Sequence, residues 1–148
     1  MSTAPHHPTL AGVMTRDVAT LRAGDTVDLA GNLMRAARIR HLPVIDGDAR
    51  VVGLVTHRDL LAATIEHTAE MEAPERATYL RNLPVDRIMR TDVRTVPIDT
   101  RLTDAADIIV KNKYGCLPVV DREGRLAGLV TEHDFVLLTI RLLGHNDA

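Results

Sequence analysis

Tryptophan is absent from this chain, and aromatic residues make up 2% of it: Tyr79, Tyr114 and Phe135 are the whole set. So few rings cannot form the stacking platform on which single-stranded nucleic acid is held. Lysine is almost missing as well, with Lys111 and Lys113 alone, and the formal net charge is −2. A general nucleic-acid binder needs a basic face, so nucleic acid is not an expected partner. The single cysteine, Cys116, allows neither an internal disulfide nor a cysteine-type zinc site, which fits a reducing, cytoplasmic setting. No apolar run approaches the roughly 18 residues that span a bilayer, so no membrane partner is expected. The first residues lack the charged-then-apolar pattern of a secretory signal. Residues 1–9, with Pro5, His6, His7 and Pro8, are expected to be a disordered lead.

What the chain does have is a sentence written twice. Gly53-Leu54-Val55-Thr56-His57-Arg58-Asp59 returns as Gly128-Leu129-Val130-Thr131-Glu132-His133-Asp134, at an offset of 75 residues. The same offset carries Met14 to Met89, Asp17 to Asp92, Thr20 to Thr95 and Leu42-Pro43-Val44 to Leu117-Pro118-Val119, with 15 of 46 positions identical between 14 and 59. Duplication of this kind sets the architecture before any one residue is interpreted. Halves of about 50–60 residues are marginal alone, so they are expected to pack together.

Each repeat has the same order of signals. A short apolar turn (Leu10 to Met14; Val85 to Met89) leads into an extended stretch (Val18 to Leu21; Val93 to Val96). A helix follows, with Asp25 or Thr100 placed to cap it. Val27, Ala30, Met34 and Ala37 then fall on one helical face, as do Leu102, Ala105, Ile109 and Asn112. Two strands follow, with Gly47 and Gly124 in their tight connections, and a second helix starts at Thr56 or Thr131. The pattern is strand–helix–strand–strand–helix. Between the repeats lies a charged helical insert, which Ala73-Pro74 is expected to break in two. It is long enough to cover an edge or an oligomer interface.

The doubled Gly-apolar-apolar-Thr-x-x-Asp carries chemistry. Thr56 and Thr131 sit where a strand turns into a helix, and the first amides of a helix lack partners and favour phosphate. Asp59 and Asp134 lie three residues on; a carboxylate can accept two hydrogen bonds, which suits the adjacent hydroxyls of a ribose. The same spacing is also that of a capping box, which stabilises a helix with no ligand. Gly53 and Gly128 permit close backbone approach.

The doubled motif, the doubled Leu-Pro-Val and the doubled Met-x-x-Asp-Val-x-Thr together resemble a tandem pair of CBS domains (cystathionine-β-synthase type), the Bateman module, over about residues 10–143. The resemblance implies an α/β (α+β) fold of two β-α-β-β-α motifs packed about a pseudo-two-fold axis. The first motif would span 10–66 and the second 85–143, with a helical linker at 67–84 and a tail at 144–148. It implies a stand-alone regulatory or sensor module that binds an adenosyl ligand in clefts between the motifs. AMP, ADP or ATP lead, ahead of S-adenosylmethionine or NAD(H). A homodimer and an unidentified regulated protein are the further partners it suggests. The other reading is a structural or dimerisation module with empty or degenerate clefts.

By the same resemblance, the adenine pocket takes Thr20, Leu21, Arg22, Arg40, His41 and Pro43 from one repeat. From the other it takes Thr95, Val96, Ile98, Gly115, Cys116 and Pro118. Each cleft would join the Thr/Asp motif of one repeat to the opening strand of the other. Arg58 and His133 stand next to the motif aspartates and are the leading phosphate partners. Arg35 and Arg38 fit a solvated helix face, and Lys111 and Lys113 stand at related positions in the second repeat. This difference in cations predicts unequal sites. The spacing of His41, His57 and His67 matches no compact ligand pattern, so no metal is expected. Cys116 has no base tied to it and is expected to be a packing residue. No nucleophile–base pair or metal cluster supports catalysis, so an enzyme is not expected.

Overall fold

The computed structural model describes residues 8–144, so Pro5, His6, His7 and the residues after Gly144 lie outside the described part. In chain order the elements are α1 (Leu10–Val13), α2 (Val27–Ala37), β1 (His41–Ile45), β2 (Val51–Thr56), α3 (His57–Thr68) and α4 (Ala73–Asn82). A 3-10 turn (Val85–Arg87) follows. The second half holds β3 (Val96–Pro97), α5 (Leu102–Asn112), β4 (Cys116–Val120), β5 (Leu126–Thr131) and α6 (Glu132–Gly144). Two units emerge, and their boundaries do not follow the sequence repeat. One is the continuous stretch Val18–Val93; the other joins the residues up to Asp17 to those from Arg94 onward.

In the Val18–Val93 unit, the apolar face of α2 works as its spacing predicts: Val27, Ala30 and Met34 are buried, while Ala37 at the end is exposed. The cap is Thr26 rather than Asp25. Its hydroxyl accepts from the Leu29 N–H at 3.2 Å, because the Asp25 carboxylate turns back to the Arg22 N–H at 2.7 Å. In the other unit Arg101 stands before α5 with no side-chain cap, and the Thr100 N–H closes a turn onto the Pro97 carbonyl at 3.0 Å. Both helices end on a left-handed residue that is not glycine, Arg38 (φ 54°) and Lys113 (φ 56°). A cation at this point meets the partial negative charge of the helix end.

The hairpins match residue for residue. Leu42 faces Val55 and Val44 faces Gly53; Leu117 faces Val130 and Val119 faces Gly128. Each connection is organised by an aspartate. Asp46 accepts from the N–H groups of Asp48 (2.9 Å) and Arg50 (3.0 Å), and Asp121 from those of Glu123 (3.0 Å) and Arg125 (2.9 Å). The Arg50 and Arg125 N–H bonds are the main reason both carboxyls titrate below their ordinary range. The left-handed position is Gly124 (φ 81°) in one hairpin and Ala49 (φ 62°) in the other, not Gly47.

The expected opening strands differ. Val96–Pro97 pairs in parallel with Val119–Val120, and the Ile98 N–H extends the ladder to the Val120 carbonyl at 2.9 Å. In the first repeat the strand shrinks to one bridge, Leu21 with Val44. The Arg22–Asp25 turn starts at once after Leu21 and leaves no residue to continue the pairing.

The opening turns belong to the opposite repeat. Leu10 and Met14 are buried with Val96, Ala105, Ile109, Leu117, Val119 and Val130. Val85 is buried with Leu21, Val27, Leu42 and Val55, and Met89 packs on that cluster. Backbone bonds lock each exchange: Thr15 and Leu129 bond reciprocally at 2.9 Å, as do Leu54 and Arg90. This is what the motif glycines serve. A Cβ on Gly128 would lie 2.6 Å from Met14 Sδ and 2.8 Å from the Thr15 carbonyl oxygen. One on Gly53 would overlap Met89 Sδ and lie 3.1 Å from the Arg90 carbonyl oxygen.

The insert breaks where proline requires: α3 ends at Thr68 and α4 carries Pro74 in its first turn. Tyr79 and Leu80 pack on the core of this unit, and the Tyr79 ring stacks on His67 with centroids 6.1 Å apart.

Candidate functional site

The two Thr-x-x-Asp turns are helix caps first. The Thr56 hydroxyl accepts from the Asp59 N–H at 3.1 Å, and Asp59 Oδ2 accepts from the Thr56 N–H at 3.3 Å. In the other unit the Asp134 N–H donates to Thr131 Oγ1 at 3.3 Å, and the Thr131 N–H donates to Asp134 Oδ2 at 2.8 Å. The reciprocal bonds satisfy two amides that the helix leaves without partners. They also hold each carboxylate at a fixed angle at the mouth of a helix of 12 or 13 residues. A preorganised acceptor beside positively polarised amides is the arrangement a sugar-phosphate requires.

The two turns part company beyond the cap. The Arg90 guanidinium clasps Asp59: Nε lies 3.3 Å from Oδ1 and 3.1 Å from Oδ2, and Nη2 lies 3.1 Å from Oδ1. Burial is the largest single influence on Asp59 and pushes its carboxyl up. The Arg90 and Thr56 hydrogen bonds and the Arg90 charge together outweigh it, so Asp59 titrates below its ordinary value. Arg90 is raised in turn, chiefly by its hydrogen bonds to Asp59. At the offset of 75, the counterpart of Arg90 is Thr15. Asp134 therefore has no guanidinium: among the described residues its Oδ2 accepts from the Thr131 N–H and hydroxyl, and its Oδ1 receives no hydrogen bond.

Arg90 was absent from the residues expected at the site. The register of the repeat pairs it with Thr15, directly after the matched methionines, and that mismatch was the available signal. Nothing in it told that the side chain crosses 31 positions to Asp59.

Within each unit the hairpin brings two groups of expected residues together. His41 pairs with Thr56, and the Arg40 carbonyl accepts from the His57 N–H at 2.8 Å. Likewise Cys116 pairs with Thr131, and the Gly115 carbonyl accepts from the Glu132 N–H at 3.2 Å. Arg58 and His133 are exposed on the first turns of α3 and α6, and Thr20 and Thr95 are half-buried just before the opening strands. Leu21, Pro43, Val96, Cys116 and Pro118 are buried. The Leu21 N–H is already bonded to the Pro43 carbonyl at 2.9 Å. Burial pushes the Cys116 thiol up to about 12, which keeps it protonated and unreactive.

A groove of about 560 Å³ runs among α2, α3 and α4, with Arg35, Arg38, Arg40 and His57 on its rim over Met34, Leu60 and Leu80. Neither Thr56 nor Asp59 lines it, although His57 of the same turn does. Among the described residues no group of three or more His, Cys, Asp or Glu could hold a metal ion. None of the described helices is long and apolar enough to cross a membrane.

Comparison with known proteins follows the same repeat. The CBS domain profile matches residues 10–66 and 85–139. A CBS domain-containing protein of Dictyostelium discoideum is 33% identical over 131 residues, covering 88% of this chain and 90% of the relative. The crystal structure of AcuB of Vibrio cholerae, named for acetoin utilization, superposes with a TM-score of 0.77 at 35% identity, over 94% of this chain and 95% of that one. CBSX2, a CBS-pair protein of Arabidopsis thaliana solved in complex with AMP, gives a TM-score of 0.76 at 28% identity, over 92% and 98%. The chain also spans 23% of the length of a homoserine O-acetyltransferase of Methanococcoides burtonii.

Proposed function

This chain belongs to the CBS domain family, in the tandem form with two repeats, and on that premise we propose that it is a regulatory module that binds an adenosyl ligand at its Thr-x-x-Asp turns. The observation that carries the reading is the pair of capped aspartates at helix mouths, in a chain that aligns over nearly its whole length with a protein solved with AMP. Asp59 and Asp134 take the ribose hydroxyls, and the first amides of α3 and α6 take the phosphate. Exposed Arg58 and His133 stand beside it as the phosphate partners from the side chains. Arg40, His41, Gly115 and Cys116 lie next to these turns and offer backbone groups to the base. AMP, ADP or ATP is the expected ligand, ahead of S-adenosylmethionine or NAD(H). Regulation requires that bound and free forms differ in affinity for a partner protein.

A ligand panel tests the reading. Protein freed of carried-over nucleotide is melted with AMP, ADP, ATP, S-adenosylmethionine and NADH. Ligand at a hundred times its dissociation constant adds about 2.7 kcal/mol of apparent stability. No shift with any of the five refutes nucleotide binding.

A second reading has its own observation. Leu61 (53% exposed) and Ile65 (70%) on α3, and Val136 (56%), Leu137 (50%) and Ile140 (63%) on α6, leave apolar side chains in solvent. Such faces mark association surfaces, and a homodimer built on them is the reading that stands if the clefts are empty. Sedimentation of the wild type beside Ile65→Glu and Ile140→Glu tests it; a monomer in all three refutes it.

A further inference from the structure

We infer that Arg90 decides which of the two turns takes the sugar: it fills the carboxylate of Asp59 and leaves Asp134 as the open ribose acceptor. The inference rests on the adenosyl reading above and adds to it an order of binding and the residue that sets it.

The two carboxylates differ in how many of their acceptor positions are taken. An ionised carboxylate offers about four lone-pair sites. At Asp59 the Thr56 N–H takes one and the Arg90 guanidinium takes three, at 3.1 to 3.3 Å. At Asp134 the Thr131 N–H and hydroxyl both fall on Oδ2, and among the described residues no hydrogen bond reaches Oδ1. A ribose reaching Asp59 must first displace a guanidinium whose full positive charge the neutral hydroxyls do not replace. A ribose reaching Asp134 meets no such cation among the described residues. The Asp59 side chain is 17% exposed and the Arg90 side chain 56%, so the clasp closes the carboxylate while the guanidinium stays wet enough to leave. The mechanism is competition for one group, and a single residue that differs between the repeats controls it.

Calorimetric titration with AMP tests this in the full chain. In the wild type, Asp134→Ala should weaken the tighter event roughly tenfold or more, the worth of a lost bond to a charged group. Asp59→Ala should change it less than about threefold, since its acceptors were already taken. Arg90→Thr, which copies the second repeat, should strengthen the weaker event by about fivefold at most, the range of an exposed ion pair. Asp59→Ala in that background should then erase the gain, which a merely structural Arg90 would not produce. The mirror change Thr15→Arg should weaken the Asp134 event several-fold and provides an independent arm. Weaker binding on Arg90→Thr, or equal losses for the two aspartates in the wild type, overturns the inference and leaves nucleotide binding intact. No heat with AMP in the wild type or in Arg90→Thr overturns both.

Discussion

The two Thr-x-x-Asp turns share their letters and differ in their company. Each is a reciprocal cap on a helix, and each sits behind a glycine pressed against a methionine of the opposite repeat. One carboxylate is clasped by Arg90, and the other meets no guanidinium among the described residues. The letters that repeat are therefore the ones that build the fold. Gly53 and Gly128 make room for Met89 and Met14, and Thr56 and Thr131 start helices. The letters that do not repeat, Arg90 against Thr15 and Arg58 against His133, are where the two turns acquire separate chemistry.

The strongest way to break the comparison is to fill the glycines. Gly128→Ala should cost about 3 kcal/mol, at the upper end of overpacking penalties, because its Cβ meets a backbone oxygen at 2.8 Å. Gly53→Ala should cost less, since the backbone oxygen lies at 3.1 Å and the nearer clash is with the flexible Met89 side chain. Urea unfolding of both variants gives the order, and the reverse order would show that backbone proximity is not what the glycines protect.

Removing the caps comes next. Thr56→Ala and Thr131→Ala should each lose about 1 kcal/mol by the same measurement. Near-equal losses would mean that Arg90 adds little to the first cap; a clearly smaller loss at Thr56 would mean that the clasp holds Asp59 without it.

The hairpin turns sharpen the contrast in the opposite direction. Ala49 holds a left-handed conformation at φ 62° where its counterpart is Gly124 at φ 81°. Ala49→Gly should stabilise and Gly124→Ala should destabilise, each by about 1 kcal/mol. Thermal unfolding of the two variants reads opposite signs from matching positions.

The smallest effect is electrostatic. Asp59 titrates below its ordinary value in the folded chain, so its contribution is fully present above the unfolded carboxylate range and is lost as pH falls through the folded value. The clasp is partly exposed, which holds the effect below about 1 kcal/mol. Urea unfolding at pH 7 and pH 3 should show a larger acid loss for wild type than for Asp59→Asn, with Arg90→Thr in between. Raised salt should narrow the gap.

Much of this was legible in the chain. The offset of 75 located both hairpins and both capped helices, and Pro74 located the break in the insert. Local chemistry governs these features, and local chemistry is what periodicity and turn residues encode. The misses are all non-local or nearly degenerate. Asp25 and Thr26 can both cap α2, and only the turn to Arg22 separates them. The opening strand of the first repeat stops after one bridge because that same turn intervenes. The exchange of opening turns is a matter of packing between distant segments, which no pattern within a repeat expresses. The Arg90 clasp depends on that exchange, since it reaches Asp59 because the Arg90 backbone is bonded to Leu54.

The exchange also has a consequence in time. The Val18–Val93 unit is one unbroken stretch, so it holds all its core residues as soon as that stretch has left the ribosome. The other unit cannot close until β5 has been made, because Leu10 and Met14 belong beneath strands that come off most of a chain later. Those early apolar residues wait unburied through the synthesis of everything between. Distant closure of this kind is slow and exposes the waiting segment to wrong partners. The order of manufacture thus lets the Val18–Val93 unit complete its core first and leaves the unit that carries Asp134 to close last.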